Sequence, residues 1–286
     1  MSWLNRKRCP GMRSLGSSDA EAVLRFFESR PVDAVLARVA VEDMGLSGHR
    51  GIGLFDAANE LTGFAWDWGN VIPLGFDAAG LDLLAEELLG KWRSATSMVG
   101  PSDQVMGLWE RVEGQWGPAR EIRRRQHSMV MGERLKTAPD PLVRQAELSD
   151  MPIVFPASVA MYIEEVGQDP TAFGNAYERR AEGLVMRGHT FIRTAPAADG
   201  VGERVVFKAD VGALAGGVAQ IQGVWVPPDL RGRGIATSGI AASVALIREK
   251  VAPTVSLYVN DFNESAVAVY RKVGFDSVGE WTTIYM

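Results

Sequence analysis

The stretch Ala219–Ala236, AQIQGVWVPPDLRGRGIA, decides the fold. Ile221, Val224, Trp225 and Val226 favour β-structure. Pro227 and Pro228 end the strand, since neither can donate to a ladder. Arg231, Gly232, Arg233, Gly234 and Ile235 follow, and a helix runs from about Ala236 to Lys250 on the apolar stripe Ile240, Val244, Ile247 and Val251. Strand, glycine-rich turn and helix start, in that order, make a cradle for a pyrophosphate. Small residues let backbone N–H groups approach an anion. The helix dipole points its positive end at the same spot, and Arg231 and Arg233 supply counter-charge. The Gly-Lys-Ser/Thr of a Walker loop and the GxGxxG dinucleotide fingerprint are both absent.

Downstream, a strand at Thr254–Val259 (TVSLYV) leads to Asn260 and Asn263, then Ala266, Tyr270, Lys272, Gly274 and Phe275. The run Arg231–Ala236 resembles the R/Q-x-x-G-x-G/A signature of the GNAT N-acetyltransferases. The second block resembles that family's N-x-x-A-x-x-x-Y-x-K-x-G-F position for position. The resemblance covers roughly 142–286 and is densest from Gln220 to Phe275. It implies an α/β fold with a mixed, mainly antiparallel sheet flanked by helices. It also implies acetyl-CoA as co-substrate, its pantetheine arm lying where the strands at Ala219–Val226 and Thr254–Val259 splay apart.

Acetyl transfer from a thioester to a primary amine, directly in a ternary complex, needs four things. The carbonyl needs donors aimed at its oxygen, the amine must arrive neutral, the thiolate needs a proton, and the reactants must be aligned. The resemblance gives the first to the backbone at Val224, Trp225 and Val226, and the pyrophosphate to Arg231, Gly232, Arg233, Gly234, Ile235 and Ala236. Asn260 and Asn263 fall on the pantetheine side, with a plain helix cap as the other role for Asn263. Tyr270 protonates the thiolate, a phenol being a donor at neutral pH; its alternative is a packed helix tyrosine. Many relatives place a Glu or His where Gln220 and Gln222 stand here, and neither glutamine can take a proton. Glu164 and Glu165 are the nearest acidic candidates for a base, Asp210 a third, and each is otherwise a solvated carboxylate.

The whole chain has 286 residues, 47% hydrophobic and 23% charged, with net charge −5. That is a globular composition and argues against bulk nucleic-acid binding. Cys9 is the only cysteine, so no intrachain disulfide forms and a reducing cytoplasm fits. The start, MSWLNRKRCPGMRSLGS, lacks an apolar run and reads as a flexible tail over 1–17. The most apolar stretch, Val211–Val226, is broken by glycines and glutamines and is no membrane span. His49, His127 and His189 share no metal-ligand spacing, so no metal is expected. Expected partners are a small-molecule or peptide amine, without nucleic acid or membrane, for a monomer or homodimer. The competing reading is a CoA-binding regulatory or partner-binding module without turnover.

KTAPDP, 136–141, reads as a linker because two prolines and an aspartate break helix and strand. It separates a first domain, 18–135, from 142–286. Helical spacing at Val32, Val35, Leu36 and Val39 and at Leu81, Leu84 and Leu88, with β-rich runs at Ile52–Leu54 and Leu61–Val71, gives helix, helix, strands, helix, strand, helix, strand. The second half has the same order. Two tandem domains of one architecture follow, the first degenerate: its counterpart of the phosphate turn, Gly69–Gly75, carries no arginine. The basic run Glu121–Arg125 (EIRRR) reads as a solvated face or ion-paired surface, with an acidic acceptor or a CoA phosphate as the other choice.

Overall fold

The computed structural model describes residues 11–197 and 200–286. The chain divides into two compact units, one ending at His127 and taking back Gly279–Met286, the other Ser128–Val278. The first unit contains β1 (Gly11–Ser14), α1 (Ala20–Glu28), α2 (Val35–Met44), β2 (Gly51–Phe55), β3 (Leu61–Trp68), β4 (Asn70–Leu74), α3 (Ala78–Leu89), β5 (Ser97–Pro101), α4 (Ser102–Trp116) and the start of β6 (Glu121–Met131). The second contains β7 (Arg144–Gln145), α5 (Met151–Val166), α6 (Ala176–Met186), β8 (Thr190–Pro196), β9 (Glu203–Ala215), β10 (Val218–Trp225), α7 (Ile235–Lys250), β11 (Thr254–Asn260), α8 (Glu264–Val273) and the start of β12 (Phe275–Tyr285).

The two element orders are the same, and so are the ladders. In the first unit β1, β2, β3 and β4 pair antiparallel in sequence and β4 meets β5 parallel. In the second, β7, β8, β9 and β10 pair antiparallel in sequence and β10 meets β11 parallel. The last strands are exchanged. Trp281–Tyr285 of β12 pair with Pro101–Ser97 of β5, while β6 lies beside β11. In the first unit Trp281 and Ile284 are fully buried, and the Trp281 indole donates to Asp33 Oδ1 at 3.2 Å. Thr282 and Thr283 donate to the Arg124 carbonyl and the Gln126 side chain at 2.6 and 2.7 Å.

In the second unit, α7 and α8 cover one face of the sheet. Ile240, Val244, Ile247, Val267 and Val273 pack on Phe207, Ala209, Val211 and Leu257. Each such side chain contributes about 1.5–3 kcal/mol on burial. Helix α7 lies so close that a Cβ on Gly239 would stand 2.6 Å from the Phe207 ring. On the other face, Val154 and Ala157 of α5 and Val185 of α6 pack on Ile192 and Val205.

Several expectations change. The tail is structured from Gly11, because Gly11–Ser14 pair with Phe55–Ile52; the earlier part of the expected tail lies outside the described residues. The segment 136–141 lies within the second unit rather than at its edge. Its prolines shape a packed turn: the buried Asp140 takes Arg193 at 2.8 Å, and its amide donates to the Ser238 carbonyl. A short 3₁₀ turn ends at Phe173, and α6 starts after Gly174, at Ala176. EIRRR is strand β6, where Arg123 is buried against Glu121 at 2.7 Å and Arg125 pairs with Glu280 at 2.7 Å.

The first unit's counterpart of the phosphate turn also moves. Gly69 is the β3–β4 hairpin turn, and the chain enters α3 through Gly75, Phe76 and Asp77. There the Asp77 carboxylate accepts from the Gly80 amide at 2.7 Å, so a side-chain anion already caps the helix. Gln104 binds both the amide and the carbonyl of Phe76 at 2.8 and 3.0 Å. The polar backbone of this turn is satisfied internally.

Candidate active site

Strands β10 and β11 pair only from Val218–Gln220 to Thr254–Ser256. Beyond that, Ile221–Trp225 and Leu257–Asn260 run without a mutual ladder. On its other edge β10 breaks register with β9 twice, and the break between Gln222 and Trp225 leaves Gly223 and Val224 as a bulge. Gly223 has φ +58°, which only glycine adopts without strain. A bulge next to an open edge bends the strand away and leaves ladder groups for another partner.

The chain then turns through Pro227 and Pro228 into Arg231–Gly234. Gly232 and Gly234 have φ +75° and +79°, and an added Cβ would meet nothing within 4 Å at either. The conformation, not crowding, selects glycine there. Helix α7 starts from Gly234 with no side-chain cap, unlike α3. Its first-turn N–H groups are left for an outside acceptor.

Arg231 and Glu164 form a two-pronged ion pair, with Nη1 to Oε1 at 2.6 Å and Nη2 to Oε2 at 2.7 Å. Arg231 Nε also donates to the Val226 carbonyl at 3.0 Å, and the Trp225 indole donates to Glu164 Oε2 at 3.2 Å. The guanidinium, then the indole, hold the Glu164 carboxyl below the usual carboxylate range. The ion pair joins the end of α5 to the Arg231–Gly234 turn. Arg233 donates to the Asp229 carbonyl at 3.2 Å, and Asp229 pairs with Arg204 at 2.7 Å.

Tyr270 sits on α8 with its ring edge-on to Phe275, centroids 5.8 Å apart. Burial, then the charge of Glu165, push its hydroxyl well above the ordinary phenol range. Glu165 acts in the same direction on Tyr177. Asn263 caps α8, accepting from the Ala266 amide at 3.2 Å, and Ser265 donates to the same oxygen at 3.0 Å. Asn260 ends β11. Val224, Trp225, Arg231–Ala236 and Tyr270 thus lie on β10, the turn, the start of α7 and α8 of one unit. His189 is half-buried, its imidazole pushed down by burial and by Arg187.

Asp210, the third candidate base, sits in a cluster whose other members the sequence did not single out. Lys208 and Asp210, both buried in β9, form an ion pair, and Thr190 donates to Asp210 Oδ1 at 2.9 Å. The signal available was a lysine and an aspartate two apart in the apolar run VVFKADV. Among the described residues no group of three or more His, Cys, Asp or Glu is placed to hold a metal ion, and no helix is long and apolar enough to cross a membrane.

Known proteins place this geometry. Residues 158–275 match the Acetyltransferase (GNAT) family, and residues 52–154 match a domain of unknown function, DUF4081. A mycothiol acetyltransferase from Nocardioides sp. is 32% identical over 138 residues, 45% of this chain and 45% of that protein. The chain thus spans less than half the length of the curated relatives it matches. Among solved structures, a GNAT-family acetyltransferase from Colwellia psychrerythraea aligns over 96% of this chain and 99% of its own, with TM-score 0.57 and 12% identity. A tandem GNAT protein from the clavulanic acid biosynthesis pathway aligns over 96% and 97%, with TM-score 0.53 and 12% identity. At such identities the likeness is one of fold, and it extends to a tandem arrangement. The segment 158–275, which carries the splayed strands, the glycine turn and Tyr270, is the part of the chain that is similar to the GNAT acetyltransferases.

Proposed function

We propose that this chain is an acetyl-CoA-dependent N-acetyltransferase that moves the acetyl group directly to a primary amine. One observation carries the reading: the β10–β11 ladder stops beside an uncapped helix start reached through two left-handed glycines. Open strand edge and open helix end suit an amide-bearing arm and a pyrophosphate in one ligand. Bound acetyl-CoA would supply an electrophilic thioester carbon. Backbone donors at the Gly223–Val224 bulge polarise its carbonyl. The amine nitrogen bonds to the acyl carbon, the carbon–sulfur bond breaks with its electron pair going to sulfur, and Tyr270 protonates the sulfur. One proton passes, in net, from nitrogen to sulfur. A small-molecule or peptide amine acceptor, a cytoplasmic setting and a monomer or homodimer complete the proposal.

Arg231→Ala with Gly234→Asp tests it. Each lost charge-assisted contact is worth about 1.5–3 kcal/mol, so acetyl-CoA affinity by calorimetry is expected to fall tenfold or more. Unchanged affinity refutes the cofactor assignment. Glu164→Gln separates two roles for that carboxylate. If Glu164 competes with phosphate for Arg231, its loss tightens acetyl-CoA binding, by about 1.5–5-fold for an exposed pair worth 0.2–1 kcal/mol. A large drop in kcat with affinity unchanged would restore Glu164 as the base. Binding without thiol release from acetyl-CoA, across a panel of amines, would favour a CoA-binding module.

A further inference from the structure

The buried pair on β9 lies beside the bulge. In the β9–β10 ladder, Asp210 is the partner of Gln222 and Lys208 of Trp225, so the two charges flank the residues that leave the ladder. A Cβ on Gly223 would stand 3.0 Å from Asp210 Oδ2, 3.2 Å from Met161 Cε and 3.6 Å from Lys208 Nζ. The bulge backbone rests on the pair, and only a glycine leaves that approach open. The pair faces the α5–α6 layer, since Tyr177 of α6 feels Asp210: its hydroxyl is pushed up to about 12, first by burial and then by that carboxylate.

Stability does not explain the pair. Two charges in a core pay a desolvation penalty that their attraction barely repays, and apolar replacements of like volume are often as stable or more so. Asp210 Oδ1 takes Thr190 and Oδ2 takes Lys208, which leaves further lone pairs for a donor. For Lys208, three donors meet one acceptor among the described residues, Asp210.

We propose that this pair is the acceptor half of the active site: Asp210 receives a hydrogen from the attacking nucleophile, and Lys208 and Thr190 position Asp210. The inference rests on the acetyltransferase reading. As the new bond to the acyl carbon forms, a proton leaves the nucleophile for Asp210 Oδ2. The carbon–sulfur bonding pair goes to sulfur with the Tyr270 proton, and solvent resets both groups.

The test uses the full chain with acetyl-CoA, and water or hydroxylamine as acceptor probes. Asp210→Asn alone leaves Lys208 unpaired, so it is made beside Lys208→Met/Asp210→Asn, which removes both charges and keeps the volumes. The double variant is expected to melt within a few degrees of wild type and to bind acetyl-CoA with unchanged affinity. Its acetyl-CoA hydrolysis should fall about 10²–10⁴-fold, the range that a lost proton acceptor gives. Transfer to hydroxylamine, a neutral and strong nucleophile, should fall less. Asp210→Glu should recover part of the hydrolysis. A double variant that folds, binds acetyl-CoA and hydrolyses it at the wild-type rate overturns the proposal. Failure of the wild type to bind acetyl-CoA overturns the acetyltransferase reading, and this role with it.

Discussion

Tyr270→Phe is expected to slow turnover by about 10²–10⁴-fold, the usual worth of a placed general acid, while acetyl-CoA affinity stays nearly unchanged. The ring is what packs: it sits edge-on to Phe275 among Val267 and Val273, and Phe keeps all of that. What goes is the hydroxyl. Burial and the nearby Glu165 charge both disfavour the phenolate, so this oxygen carries its proton at neutral pH and can give it to a departing thiolate. The loss should appear equally in kcat and kcat/KM, as for an interaction made only in the transition state. It should shrink with an acyl donor whose thiol is more acidic. Full turnover in the variant would make Tyr270 a packing residue and leave the thiolate to solvent.

Trp281→Ala is expected to destabilise the first unit by about 3–5 kcal/mol, the range for emptying a buried aromatic site. The indole is 1% exposed and donates to Asp33, so the variant loses buried surface and strands an acceptor. A loss of that size shifts the folding equilibrium by about two to nearly four decades. Urea unfolding should show a lower midpoint with little change in slope. A shift worth under about 1 kcal/mol would mean that the first unit does not depend on the end of β12.

The strand, turn and helix start proposed to hold the cofactor are local in sequence, and therefore readable. Strand, turn and helix start lie within Ala219–Ala236, and glycines, prolines and arginines mark the turn chemically. Tyr270 and Asn263 sit at fixed spacing on one helix, and the shared element order of the halves is a matter of periodicity. The rest depends on pairings that spacing does not encode. β1 is four residues long and exists only because it finds β2. Glu164 looks solvated until α5 brings it to Arg231, 67 residues away. Asp77 reads as a helix cap in either half; that α7 lacks such a cap emerges only once α3 and α7 are seen as counterparts. The exchange of β6 and β12 is a pairing of segments far apart in sequence, which local spacing does not encode.

That exchange has a consequence for synthesis. On the ribosome the first unit has nearly all its elements once α4 has emerged, yet the neighbour of β5 is encoded at Trp281–Tyr285. At about 5–20 residues per second the wait is on the order of ten seconds or more. Through that interval β5 presents an open hydrogen-bonding edge beside the apolar Met98 and Val99, the kind of surface that chaperones hold and that neighbouring nascent chains capture. Completion of the first unit therefore waits for the synthesis of the second, and slow elongation lengthens its most vulnerable period.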